Sequence, residues 1–449
     1  MVGTGPKGSA DGQPGGMPAR CGPGQDAGSA DRARPRITPA HRVVFLGGLL
    51  LERQIPQIER DSRSVIQYAA DALQRALLRG FTLYHDLDVR LVNVPYIGSY
   101  PKTYRKAWFP GVTDLLFGKV PVTGMGFFNL LVARDHFRRR AAFRGLTPLV
   151  RPPGDCIVVV YSAHLPFVRA ALDCRRLNPA LRICVIVPDL IEHMGDYGPL
   201  RKILANHNGK EFRKLATRVD HLVVLTPHMA TELGIGPERH VVIEGIYDPE
   251  AHLPAAPWSD EPAPIFIYTG TLATRYGILD LLDAFSRLDV PSARLWICGM
   301  GDAQAAVEDL ARRDPRVTYH GRVPRTEALA LQARAHVMVN PRRPEGEFTR
   351  YSFPSKTLEY LASARPVIMH WLPGIPEDYR PHLITPETGD AMGLAQAMQR
   401  VAALPRDELR RIGEAGRDFV LARKTPRAQI GKLLQALYPG GLCAPDSED

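Results

Sequence analysis

Lys356 and Glu359, one turn apart in Ser355-Lys356-Thr357-Leu358-Glu359, are the residues of this chain best spaced to do chemistry together. Pro354 suits a first helical position, where no amide hydrogen is needed. The amides of Ser355 and Lys356 would then point out of a helix N-terminus, an end that attracts phosphate. Lys356 adds a full positive charge, and Glu359 falls on the same face. A helix end that can hold a diphosphate, with a carboxylate beyond it, suits a nucleotide carrying a sugar. An ordinary capped helix with solvated charges accounts for these residues equally well.

Other candidates follow apolar runs. Gly270-Thr271 leaves one such run, and Arg275 stands just before Gly277 and an apolar-periodic helix. A glycine turn lets a ligand approach the backbone, and an arginine fork can grip a second phosphate oxygen. Gly299-Met300-Gly301-Asp302 resembles half of a dinucleotide fingerprint, but the third glycine position is Gln304, which argues against a nicotinamide or flavin site. Gly321-Arg322-Val323 offers backbone groups to a base edge, or is a plain turn. Nearer the N-terminus, Gly47-Gly48, His164 and Asp189 each end an apolar run, where a parallel sheet presents its ligands. A lone histidine is more often structural. Asp86-Leu87-Asp88 precedes its apolar run instead of following it and reads as a solvated turn. No set of His, Cys, Asp and Glu has metal-ligand spacing, so no metal or cofactor is expected.

The elements that must position these groups alternate. Short apolar runs, among them Val43–Leu51, Val89–Val94, Cys156–Tyr161, Ile183–Val187, Pro264–Tyr268, Arg294–Cys298, Ala335–Val339 and Pro366–Met369, are separated by helix-like stretches. Several runs are continuous, as in parallel strands covered on both faces. The alternation predicts doubly wound α/β domains. Residues 1–38 are poor in apolar side chains and read as a disordered tail. Residues 39–246 and 265–405 read as two Rossmann-like domains facing a cleft. Residues 247–264, rich in Pro and acidic side chains, link them, 406–437 form two helices, and 438–449 are a tail.

The chain has 449 residues, 45% hydrophobic and 23% charged, which is ordinary for a globular protein. Lys plus Arg exceed Asp plus Glu by 57 − 47 = 10, favouring acidic partners. No basic run with interleaved aromatics occurs, so nucleic acid is not expected. No apolar run is long enough to cross a bilayer, and the N-terminus lacks a secretory core, which predicts a cytoplasmic protein. The scattered cysteines form no CxxC pair and read as reduced thiols. Residues 127–144 are apolar first and then basic, through Arg134, Arg138, Arg139, Arg140 and Arg144. That stretch, extended by Lys102, Arg105, Lys106 and Trp108, suits peripheral contact with an anionic membrane, such as the inner face of the plasma membrane, or is a solvated cationic face.

Together the Gly270 turn, the GxGD stretch, the Gly321–Val323 turn and Phe353-Pro-Ser-Lys-Thr-Leu-Glu359-Tyr-Leu-Ala with Arg365-Pro-Val-Ile resemble the donor-binding domain of retaining GT-B glycosyltransferases of family 4. The FPSK start looks like bacterial enzymes of capsular or exopolysaccharide synthesis. The first half resembles the family in rhythm and in its IVPDL stretch. The resemblance implies a metal-independent transfer from a nucleotide-diphosphate sugar to a glycan or glycolipid acceptor, with retention. It implies that Lys356, Arg275 and the amides of Ser355 and Lys356 meet the diphosphate, that Glu359 holds the ribose and that Val323 meets the base. Gly48 would face the phosphates from the other domain, with Gly270 and Thr271 lining the donor site and Asp189 on the catalytic side. Four positions depart from the family pattern. Tyr351 stands where a sugar-contacting Glu is usual, Thr271 replaces an Arg, Tyr276 replaces a Lys, and Pro188 replaces a His. An epimerase or hydrolase on this architecture would need a carboxylate pair or His base that cannot be assembled. A non-catalytic nucleotide-sugar-binding partner stays open because of positions 351 and 188.

Overall fold

Apolar runs without alternation build the central parallel strands of two sheets, covered on both faces. The computed structural model describes residues 41–190, 199–251, 258 and 261–440. The expected tail 1–38, the centre of the expected linker and residues 441–449 lie outside the described residues, as do Cys21 and Cys443.

The first half runs β1 (His41–Gly47), α1 (Ile55–Asp61), α2 (Tyr68–Phe81), β2 (Leu87–Asn93), β3 (Trp108–Phe109), β4 (Val112–Leu116), β5 (Val120–Gly124), β6 (Phe127–Phe128), α3 (Arg134–Val150), β7 (Asp155–Tyr161), α4 (Leu165–Cys174), β8 (Arg182–Val187), α5 (Pro199–Ala216), β9 (His221–Val224), α6 (Pro227–Leu233) and β10 (His240–Val242). Its eight-stranded sheet has the order β10-β9-β8-β7-β1-β2-β5-β4. All pairs are parallel except β4, which runs antiparallel to β5. β1 buries Val44 and Leu46 with residues of α3 and α4, and Val43 and Phe45 with residues of α2.

The second half runs β11 (Ile265–Thr269), α7 (Ile278–Ser286), β12 (Arg294–Cys298), α8 (Gln304–Arg313), β13 (Val317–Gly321), α9 (Arg325–Arg334), β14 (Val337–Asn340), α10 (Lys356–Ala362), β15 (Val367–Met369), α11 (Ala391–Ala402), α12 (Arg406–Arg423) and α13 (Pro426–Leu437). Its five strands are all parallel, in the order β13-β12-β11-β14-β15. α13 crosses back to the first half, where Ile430, Leu433 and Leu434 share a core with Leu77, Leu78 and Phe81 of α2.

Strand order reverses between β1 and β7 in the first sheet, and between β11 and β14 in the second. Such switch points open crevices at the carboxyl ends of the strands. Gly48 and His164 flank the first, and the Gly270 turn and the 341–355 segment flank the second. Asp88 is not in a solvated turn. It is the second residue of β2, where burial opposes ionisation but bonds from Arg90 and Arg42 hold its carboxyl below the ordinary range. Among the described residues, no helix is long and apolar enough to cross a membrane.

Candidate functional site

α10 begins at Lys356, so Pro354 precedes the helix by two residues. Thr357 N–H already bonds to the Pro354 carbonyl at 2.8 Å, which starts the turn. Among the described residues the amides of Ser355 and Lys356 have no backbone acceptor. The Lys356 stem passes over the Gly270 turn, its Cε 3.2 Å from where a Gly270 side chain would begin. That turn is fixed from all sides. Gly270 and Leu272 amides bond to the Cys298 and Met300 carbonyls at 2.9 and 3.0 Å. Asp302 accepts from the Thr274 amide at 2.7 Å, and the Thr271 carbonyl accepts from Tyr268 at 2.8 Å. Gly299, at φ +142°, lets the turns after β11 and β12 touch; a side chain there would start 1.7 Å from the Gly270 carbonyl oxygen. The GxG pair therefore packs backbone against backbone.

Glu359 is held by neighbours that the sequence did not single out. Gln332 donates to Oε1 at 2.9 Å, Arg325 to Oε2 at 3.4 Å, and the Lys356 ammonium stands 3.8 Å from Oε1. Arg325 and Gln332 are two turns apart on α9, and that spacing was the available signal. Arg342, also missed, lies between the rings of Tyr276 and Phe348 and donates to Ser352 at 2.9 Å. Burial lowers its pKa.

A cleft of about 1080 Å³ lies between the halves. Ser355, Lys356, Glu359 and Arg325 line it from the second half. Asp189, Tyr161 and one face of α2 line it from the first, and Glu244–Asp248 close its floor. Asp189 is solvent-accessible yet enclosed by the cleft walls, and desolvation pushes its carboxyl up to about 6. Arg75 and Arg79 of α2 are committed to Asp71 and Asp248 at 2.7 and 2.9 Å.

Other candidates stand outside this lining. Arg275 is exposed and rests on its neighbour Tyr276, its guanidinium 5.0 Å from the ring centroid. Val323, two residues past β13, is half-buried against the core cluster that includes Cys298, Leu331 and Leu358. The Gly48 amide is taken by Gln74 at 2.8 Å, and Tyr96 covers Gly48 so closely that a side chain would start 2.4 Å from the ring. The same Tyr96 ring packs edge-on against His164 at 5.6 Å. Burial holds the His164 pKa well below the ordinary value, and its Nδ1 has no partner among the described residues. Tyr351 points to the first half and bonds to Glu232 at 3.5 Å. Thr226 likewise bonds to the Arg350 carbonyl at 2.8 Å, so this segment belongs to the seam between the halves. Among the described residues no group of three or more His, Cys, Asp or Glu could hold a metal ion.

Residues 263–403 match the family model described as Glycosyl transferases group 1. No curated protein matches the chain by sequence. Among solved structures, the chain is similar to sucrose-phosphate synthase from Thermosynechococcus elongatus, at TM-score 0.56 and 16% identity over 89% of this chain and 100% of that one. It is similar to S. aureus TarM solved with Fondaparinux, alpha-GlcNAc-glycerol and UDP, at TM-score 0.56 and 11% identity over 88% and 99%. Anabaena HepE in complex with UDP gives TM-score 0.57 and 13% identity over 88% and 100%. The chain therefore has the two-domain GT-B fold, and its match over 263–403 together with these structures supports a GT-B glycosyltransferase.

Proposed function

We propose that the protein moves a sugar from a nucleotide-diphosphate donor to a lipid-linked saccharide, with retention and without a metal, in the synthesis of a cell-surface polysaccharide. One observation carries the reading: Lys356 and the start of α10 line the cleft opposite Asp189, while Gln332 orients Glu359. The TarM and HepE structures, both in complex with UDP, favour a uridine donor for this chain as well.

In this scheme the bond from the anomeric carbon to the diphosphate oxygen breaks, and its electron pair leaves with the diphosphate. Lys356, the Ser355 and Lys356 amides and Arg275, swung off Tyr276, take up that charge. The acceptor oxygen bonds to the anomeric carbon on the same face, and its proton passes to the departing diphosphate oxygen. Ionised Asp189 accepts a hydrogen bond from the reacting sugars. Glu359 holds the ribose and Val323 meets the base. Gly270 and Thr271 serve by allowing close approach, since the Gly270 amide is already bonded, whereas Gly48 is buried beneath Tyr96 and takes no part in this scheme.

Thermal shift and titration calorimetry with UDP, ADP, GDP and a nicotinamide dinucleotide test the reading. A nucleoside diphosphate should bind, and binding of the nicotinamide dinucleotide alone would overturn it. A second reading, a partner that binds donor without turning it over, is favoured by Tyr351. It replaces the usual sugar-contacting Glu and is turned to Glu232. Release of diphosphate from labelled donor in the presence of membrane extract separates the two.

A further inference from the structure

We propose that the edge of the first half built by β3 and β6 docks onto an anionic lipid surface. Six large apolar side chains are exposed together there. Trp108 and Phe128 pair across the two strands with rings 4.9 Å apart, and are 47% and 49% exposed. Tyr100 bridges to Leu130, and the Leu131 amide bonds to the Tyr100 carbonyl at 3.1 Å. Leu131 and Val132 follow at 51% and 100% exposure. A soluble surface rarely gathers so much apolar area without a partner.

The charge around it selects the partner. Residues 95–111 contain Lys102, Arg105 and Lys106 and no acidic residue, and 125–144 contain five Arg and one Asp. All three basic side chains of the first stretch are exposed. On α3, Phe137 packs on Phe128 at 5.4 Å, and Arg140 and Arg144 follow at three and seven residues, on the same helical face. Asp135 is ion-paired with Arg134. Aromatic and aliphatic tips ringed by cations match the boundary between anionic headgroups and acyl chains.

The basic group that the bare sequence suggested is corrected by this placement. Arg138 is buried and bonds to the Ile97 carbonyl at 2.7 Å, and Arg139 is bound to Asp173 at 2.6 Å. Neither serves the surface. The segments that do leave the carboxyl ends of β2 and β5, the same end of the sheet from which Gly48 and Asp189 emerge. The docked face thus lies beside the mouth of the cleft. The surface needs no assumption about the reaction; its use in presenting a lipid-linked acceptor rests on the transfer reading.

The test is co-flotation with phosphatidylglycerol vesicles and with phosphatidylcholine vesicles, with light scattering for oligomeric state. Wild type should float with the first and not the second, less so as salt rises, and its fluorescence should shift to the blue unless Trp108→Phe is present. Leu131→Asp with Val132→Asp, and separately Lys102→Glu with Lys106→Glu, should each lower partitioning by about tenfold or more while leaving UDP affinity unchanged. No flotation of wild type, equal flotation of the variants, or conversion of a dimer to a monomer by Leu131→Asp would overturn the proposal. Vesicle binding without nucleotide binding would keep the surface and remove the transfer reading.

Discussion

The Lys356 ammonium stands 3.8 Å from the Glu359 carboxylate, beyond hydrogen-bond reach, while Gln332 donates to the same carboxylate oxygen at 2.9 Å. Glu359 is thus oriented by Gln332, and Lys356 keeps its donors for another anion. Its side chain is 41% exposed within the cleft. Lys356→Ala should therefore weaken UDP binding by about 10- to 100-fold, the worth of a charge-assisted hydrogen bond, with little change in melting temperature. Calorimetry checks it, and unaltered affinity would remove Lys356 from the site.

Desolvation by the cleft walls raises the Asp189 carboxyl to about 6. Transfer that needs the ionised form should fall as pH drops through about 6, and Asp189→Asn should abolish both that limb and most of the rate. Stability moves the opposite way. A raised folded pKa means the native state holds the proton more tightly than the unfolded chain. Its contribution is present at low pH and is lost as pH rises through about 6. Asp189→Asn should melt higher than wild type at about pH 8 and equally at about pH 3, below the unfolded pKa. A variant that is inactive yet no more stable at high pH would contradict the desolvated placement.

The four described cysteines, Cys156, Cys174, Cys184 and Cys298, are buried and unpaired. Burial pushes their thiols up to about 11 or 12. All four should resist a thiol reagent until the fold opens. Labelling of native protein at any of them, read by mass spectrometry, would place it at an accessible edge.

The parallel strands were legible because both faces are covered. The Val43-Val44-Phe45-Leu46 run is apolar at every position, as β1 in the middle of a sheet must be. β4 and β5 were not legible. They form an edge hairpin turning through Phe117 and Gly118 in the left-handed region, with half-buried and exposed residues in β4 and a proline in β5. β10 is short, His240–Val242, and Glu244 and the residues after it line the cleft. At the site, Lys356, Ser355 and Glu359 could be singled out because they lie on one short segment. Gln332, Arg342 and the Tyr96 cover over Gly48 come from other segments and meet only in the fold.

Arg138 sits in a basic run but works as a core residue. Its guanidinium bonds to the Ile97 carbonyl, lies 5.5 Å over the Phe127 ring, and is pushed down to about 10 by burial. Arg138→Ala leaves that carbonyl unpaired and opens a void, at a cost of about 2–4 kcal/mol. Exposed Arg140→Ala should change stability by less than about 0.5 kcal/mol. Urea unfolding of the two variants compares them directly. Equal effects would mean that the register of α3 differs from the one described.

Glu244 leaves the first half just as Lys424 re-enters it between α12 and α13, and the two are joined at 2.6 Å. Lys424 also pairs with Asp378 at 2.8 Å and lies over the rings of Tyr379 and Phe419. Tyr379 donates to Glu244 at 2.7 Å, and the Tyr247 amide bonds to the Lys424 carbonyl at 2.8 Å. Both crossings between halves are therefore tied to one another by a buried ion pair, its side chains 4% and 1% exposed. Losing one partner strands the other charge, so Lys424→Met should cost about 3–5 kcal/mol. Lys424→Met with Glu244→Gln removes both charges and should recover a large part of that loss. A double-mutant cycle by denaturant unfolding gives the coupling. If the two changes simply add, the pair does not act as the joint, and the bonds from Tyr247, Gln429 and Lys432 hold the crossings together instead.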